Sequence, residues 1–225
     1  MIGRLYVVAT PIGNLSDISE RAKATLASVD VILCEDTRVT GKLLHTYKIE
    51  TKMLSYHQHS GGTKVNKIVE LLEEGKTLAL VTDAGTPAIS DPGAMLVQEL
   101  VNRFGSDIVI EPIPGPSAVI AALSASGFPA DEFLFLGFAP HKKGRQTFFD
   151  RVKETESTVV LYESTHRIMK ALGEIEERMP LRPLVVCREL TKMHETIYRG
   201  TAREVTEQLE STSIKGEFVI VLKQL

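Results

Sequence analysis

Short apolar runs rich in β-branched residues alternate along the chain with stretches of helical periodicity. RLYVVAT (4–10), VILCE (31–35), TLALVT (77–82) and DIVIEPI (107–113) read as strands in the first half. FLFLGF (133–138), STVVLYE (157–163), RPLVVCREL (182–190) and EFVIVL (217–222) do so in the second. Helices are predicted over 19–29, 40–47, 64–75, 93–104 and 117–127, and then over 145–154, 165–179 and 202–212. Ser19 is placed to cap the first of them. In 64–75 the apolar residues fall at 65, 68, 69, 71 and 72, one helical face, and Gly75 closes it, as Gly127 closes 117–127. HETIYRGT (194–201) alternates like an edge or hairpin strand.

Continuous apolar strands between helices predict an α/β protein whose sheets are covered on both faces. SGFPADEF (126–133) sets Gly, Pro and two carboxylates between a helix and a new strand. Two α/β domains are therefore expected, 1–127 and 128–225, and 225 residues are enough for two cores. Hydrophobic residues make up 43% and charged residues 24%, ordinary for a globular protein, and no apolar run reaches the roughly 20 residues that span a bilayer. The N-terminus lacks a basic n-region and reads as a first strand, so a cytoplasmic protein without a membrane partner is expected. A net charge of −3 confines any nucleic-acid surface to a local patch. Cys34 and Cys187 sit inside apolar runs without CxxC spacing, which reads as two buried thiols and no zinc site.

Four loops follow strands of the first half: ATPIGNLSD (9–17), CEDTR (34–38), VTDAGTPAISDPG (81–93) and PIPGPSA (112–118). Neither GxxxxGK[ST] nor GxGxxG is present, so neither common nucleotide loop is indicated. Each loop alone reads as a plain strand–helix turn more readily than as a site, and the four together favour a site. On a mostly parallel sheet all four would crowd one rim and build a ligand site from backbone amides and small side chains. Ser117 either caps a helix or meets a ligand, and CEDTR is either a local ion pair or a polar rim. In the second half, YESTHR and CRELTKMHE end strands in dense charge, which means either pairing, such as Arg188 with Glu163, or a polar cleft. APHKKGRQTFFDRVK (139–153) carries Lys142, Lys143 and Arg145, either a solvated face or a set of phosphate contacts, with Gly144 as a pivot.

Read in order, VVATPIGNLSDISERA, CEDTRVTGKLL, VTDAGTPAISDPG, PIPGPSAVIAALSASG, GFAPHKKGRQ, YESTHR and CRELTKMHET resemble the ribosomal RNA small subunit methyltransferase I family of the tetrapyrrole methylase superfamily. The resemblance runs from about residue 4 to 222. It implies two α/β domains with S-adenosylmethionine in a cleft between them, and a homodimer. The implied reaction is methyl transfer to the ribose 2′-oxygen of a cytidine in the decoding region of 16S ribosomal RNA. It assigns cofactor contacts to Pro11, Ala84, Gly85, Thr86, Ile89, Ser117 and Ala118, and to Tyr162, Glu163 and Leu190. The methyl is already activated on the donor, so no metal is required and the task is positioning, helped by a base. The candidates for that polar chemistry are Glu35, Asp36, Arg38, Glu163, Arg167 and Lys192, with His194 beside them; a lysine of lowered pKa would serve as base. Lys142, Lys143 and Arg145 are the expected RNA contacts. Longer members carry a small extra C-terminal domain, which is not expected here because the chain ends soon after GEFVIVLKQL. Two other readings compete: methylation of a tetrapyrrole ring, disfavoured by only 6% aromatic residues, and a non-catalytic RNA-binding factor that keeps a cofactor pocket.

Overall fold

The computed structural model describes residues 1–57 and 62–225. The chain divides into two compact units, Met1–Ser117 and Ala118–Leu225.

The first unit is a five-stranded sheet with helices on both faces. Its elements run β1 (Arg4–Val8), α1 (Glu20–Ser28), β2 (Val31–Cys34), α2 (Thr37–Thr46), β3 (Lys52–Ser55), α3 (Gly62–Glu73), β4 (Thr77–Leu80), α4 (Gly93–Phe104) and β5 (Val109–Ile113). The spatial order is β3-β2-β4-β1-β5, with every neighbouring pair parallel. Parallel pairing needs crossovers, which is why each strand is followed by a helix. Val8, Ala22, Leu26, Ile32, Leu44 and Val81 pack in the layer of α1, while Leu5, Ile68, Leu72, Leu78, Leu96 and Leu100 pack in that of α3 and α4. The chain leaves β1 toward β2 on one side and leaves β4 toward β5 on the other, so the direction reverses between these adjacent strands. Open parallel sheets bind ligands at the carboxyl ends of the strands where this reversal falls.

The second unit holds α5 (Ala118–Ser126), β6 (Phe133–Phe138), α6 (Arg145–Glu154), β7 (Thr158–Ser164), α7 (Ile168–Arg178), β8 (Leu184–Arg188), β9 (Thr196–Gly200), α8 (Ala202–Ser211) and β10 (Glu217–Leu222). Its sheet runs β6-β7-β10-β8-β9, parallel only between β6 and β7. Phe149 and Val152 of α6, Leu172 and Ile175 of α7 and Val205 and Leu209 of α8 cover one face. Val119, Ala122 and Leu123 of α5 cover the other, against Val160, Val185, Cys187 and Val219. The α5 helix therefore packs with the second sheet, and the division falls after Ser117 where the Gly-Pro segment suggested one after residue 127.

The expected elements 93–104, 133–138, 145–154 and 217–222 match to the residue. Ser19 caps α1 through a hydrogen bond from the Ala22 amide, and Gly75 and Gly127 have φ of +78° and +76°. The β3 strand was not anticipated: it is four residues long, at the sheet edge, and carries no buried residue. The β8 strand is shorter than its apolar run because Glu189, at φ +53°, turns the chain. Cys34 and Cys187 are both buried free thiols, and burial pushes the Cys187 thiol up to about 11. Among the described residues no helix is long and apolar enough to cross a membrane.

Candidate active site

The four loops of the first unit meet at one rim. Thr10 and Gly85 form an isolated bridge, with the Thr10 amide donating to the Gly85 carbonyl at 2.9 Å and the Gly85 amide donating back at 3.1 Å. This knot lies where the strand order reverses, just past the ends of β1 and β4. The Thr86 hydroxyl donates to the Pro116 carbonyl at 3.1 Å, tying in the fourth loop. The Asp36 amide donates to Asp83 Oδ1 at 3.3 Å, and the Thr82 hydroxyl to Glu35 Oε1 at 2.7 Å, tying in the second.

Local backbone chemistry shapes this rim. Gly85 has φ +88°, and a Cβ there would stand 3.4 Å from the Ile12 side chain, so glycine suits both the turn and the space. A Cβ on Gly115 would lie 3.0 Å from that of Ala9, so the fourth loop approaches β1 closely only because glycine is there. Ala88 and Ser90 take positive φ of 69° and 54°, a strained pair for residues with side chains. Asp91 holds them: its Oδ1 accepts from the amides of Ala88 at 2.9 Å and Gly93 at 2.8 Å. The expected contacts Pro11 and Gly85 are buried, Thr86 and Ser117 half-buried, and Ala84 and Ile89 exposed. The rim thus offers amides, carbonyls and small side chains, the surface that a cofactor held chiefly by backbone requires.

Its polar side chains differ sharply in state. Burial, then a hydrogen bond shared with Asp91, push the half-buried Glu35 carboxyl up from 4.5 to about 7, against the pull of Thr82. Asp36 is the opposite case: Arg38 chelates it at 2.5–3.1 Å and holds it down at about 2. Burial raises Asp83. CEDTR is therefore a local ion pair at Asp36 and Arg38, with a separate proton-holding carboxyl at Glu35. Thr82 and Asp91, which act on Glu35, were not among the expected site residues; their positions just after β4 and just before α4 were the available signal.

In the second unit the charged strand ends are mostly committed to one another. Glu163 is 2% exposed and forms ion pairs with Arg167 Nε at 3.0 Å and Arg145 Nη1 at 3.6 Å, while its Oε1 accepts from the Ser164 amide at 2.8 Å. It pairs with these arginines and not with Arg188, because Phe218 of β10 lies between Glu163 and Arg188 in the sheet. Arg188 instead donates to the carbonyls of Lys215 and His194. Glu163 and Arg167 are thus counter-ions of each other, not free acid–base groups. Arg145, expected on an RNA surface, is 3% exposed and bound to Glu174 at 2.7 Å, so it offers no contact to an outside phosphate as it stands. Lys142 and Lys143 are exposed. Lys192 is not a base of lowered pKa: burial works to lower it, but Glu217 at 2.8 Å and Glu189 at 2.9 Å outweigh that and raise it. His194 is exposed. Tyr162 is half-buried against Phe135 and Phe138, and Leu190 half-buried between Glu189 and Thr191, both at positive φ.

The sequence profile of the tetrapyrrole (corrin/porphyrin) methylases matches residues 4–206, which sets the class as S-adenosylmethionine-dependent methylases. Solved structures agree in fold. Diphthine synthase superposes with a TM-score of 0.73 at 13% identity, covering 98% of this chain and 90% of that one. Uroporphyrin-III C-methyltransferase from Thermus thermophilus, complexed with S-adenosylhomocysteine, gives 0.65 at 17% identity, covering 98% and 97%. The ribosomal RNA small subunit methyltransferase I of Halalkalibacterium halodurans is 45% identical over 98% of this chain and 76% of its own length. That of Thermotoga maritima is 41% identical over 98% of both. The chain belongs to the ribosomal RNA small subunit methyltransferase I family.

Proposed function

We propose that the protein methylates the ribose 2′-oxygen of a cytidine in the decoding region of 16S ribosomal RNA, in the cytoplasm and as a homodimer. The names of relatives 41–45% identical over nearly the whole chain support the RNA substrate. The observation that carries the chemistry is Glu35, a half-buried carboxyl whose pKa of about 7 matches the work of a general base at neutral pH.

S-adenosylmethionine supplies an activated methyl carbon on sulfur. Pro11, Ala84, Gly85, Thr86, Ile89 and Ser117 are proposed to hold it along the first unit's rim, and the contacts implied for Ala118, Tyr162 and Leu190 belong to the same proposal. Glu35 would accept the proton that the ribose 2′-hydroxyl gives up when its oxygen is methylated. Thr82 fixes the carboxylate through its hydroxyl, and burial, with Asp91 second, raises its proton affinity. Arg38 is exposed and reaches outward from Asp36, where it would meet phosphate or ribose and not act as a base.

Mass spectrometry of small-subunit RNA from a deletion strain tests the reading. The expected outcome is loss of one ribose methyl from a decoding-region cytidine, restored by the intact gene. An unchanged 2′-O-methyl pattern would sink it. Tight binding of cofactor and ribosome with no transfer to any ribosomal particle would instead indicate a non-catalytic binding factor.

A further inference from the structure

A pocket of about 290 Å³ opens in the second unit where α6 begins beside α7. Its wall is the chain from Gly144 to Thr147, with Lys142 on one side and Lys170 and Glu174 of α7 on the other. The methyl-transfer chemistry uses none of it.

Gly144 enters α6 at φ +82°, and no side chain caps the helix. The amides of Gln146 and Thr147, in the exposed first turn, therefore keep no intrahelical partner and carry the positive end of the helix dipole. Among the described residues neither Lys142 nor Lys170 is ion-paired, and both are exposed. Beneath them lies Arg145, 3% exposed, which donates through Nε to Glu174 at 2.7 Å and through Nη1 to the Pro140 carbonyl at 3.0 Å. Its Nη2 is buried without a hydrogen-bond partner. A guanidinium carries Nε and Nη2 on one edge. The orphaned donor thus lies on the edge turned toward Glu174, itself a wall of the pocket. Glu174 is ion-paired with that same arginine at 2.7 Å.

A tetrahedral oxyanion answers this arrangement: it can accept from the first-turn amides, from both ammonium groups, and from Nη2 after a small shift of the arginine. We propose that the pocket is a discrete phosphate site for one phosphodiester of the RNA backbone, with Lys170 and the start of α6 as contacts alongside Lys142. The assignment of the phosphate to RNA rests on the ribosomal RNA reading above. Phosphate contacts of this kind set register and orientation without reading sequence.

The test uses the full-length protein in low salt. Inorganic phosphate is titrated while the backbone amides are followed by NMR, and affinity for a small-subunit RNA fragment is measured against salt. The expected result is saturable shifts centred on Gln146 and Thr147 that disappear in Lys170→Gln and persist in Lys143→Gln. Lys170→Gln should also reduce the slope of log affinity against log salt by about 1. Lys170 is exposed, and an unchanged melting curve confirms that the variant folds. Saturable shifts with an unchanged salt slope would keep the oxyanion site and reassign it to free phosphate, overturning the RNA assignment. No shift at these amides would overturn the site, even if RNA affinity fell. Failure of the unsubstituted protein to bind RNA would overturn the ribosomal RNA reading and leave the phosphate titration to stand or fall alone.

Discussion

Glu35 and Asp36 are neighbours in sequence and opposites in state. Glu35 loses hydration and hydrogen-bonds with Asp91, while Asp36 stays at the surface against Arg38. A base with a pKa of about 7 is charged and competent only above that value. The pH profile of kcat/KM should therefore rise through about pH 7, and Glu35→Gln should lower kcat roughly 10²–10⁴-fold and flatten the profile. Stability moves the other way. The folded carboxyl holds its proton from 4.5, its ordinary value, up to about 7, so the native state binds more protons than the unfolded chain across that window. Glu35 thus costs stability as pH rises through it. Urea melts should show Glu35→Gln gaining stability over the parent at pH 8 and not at pH 4. An equal gain at both would exclude the titration as its cause. The residue types of CEDTR were legible in the sequence; their protonation was not, because Asp91 and Thr82, which share or donate a hydrogen bond to Glu35, lie some fifty residues away along the chain.

Elements were largely readable because periodicity reports burial. Those misjudged are the ones whose ends depend on distant partners. The helix expected from residue 165 begins at Ile168, since the Thr165 hydroxyl is occupied with Gly216. Arg182 shows how elements are tied together without a charge partner. It is 6% exposed and donates to the carbonyls of Lys223, Val152, Thr155 and Ser157, joining the ends of β10, α6 and the approach to β7. Nothing in its sequence neighbourhood, PLRPL, marks it as buried. Arg182→Leu should strand these acceptors and destabilise the protein by at least about 3 kcal/mol in urea melts, with cofactor affinity unchanged. A loss below about 1 kcal/mol would mean that water replaces the guanidinium.

At the scale of the whole molecule, local charge must do what net charge does not. With an overall balance of −3, RNA would be held by patches, and the exposed Lys142 and Lys143 before α6 form one. Lys142→Glu with Lys143→Glu should weaken RNA binding while calorimetry shows S-adenosylmethionine binding intact; equal RNA affinity would remove this loop from the interface. The sequence by itself determined the α/β class, the order of nearly all elements, the loops that form the rim and the family, because hydrophobic period and ordered motifs are properties of contiguous residues. Only the tertiary structure decided that α5 packs with the second sheet, that Arg145 and Glu163 turn inward, that Lys192 is clamped by two carboxylates, and that Glu35 keeps a proton near neutrality. Those outcomes depend on which side chains meet after folding and on how much water is left around them, and a charge in the sequence carries neither.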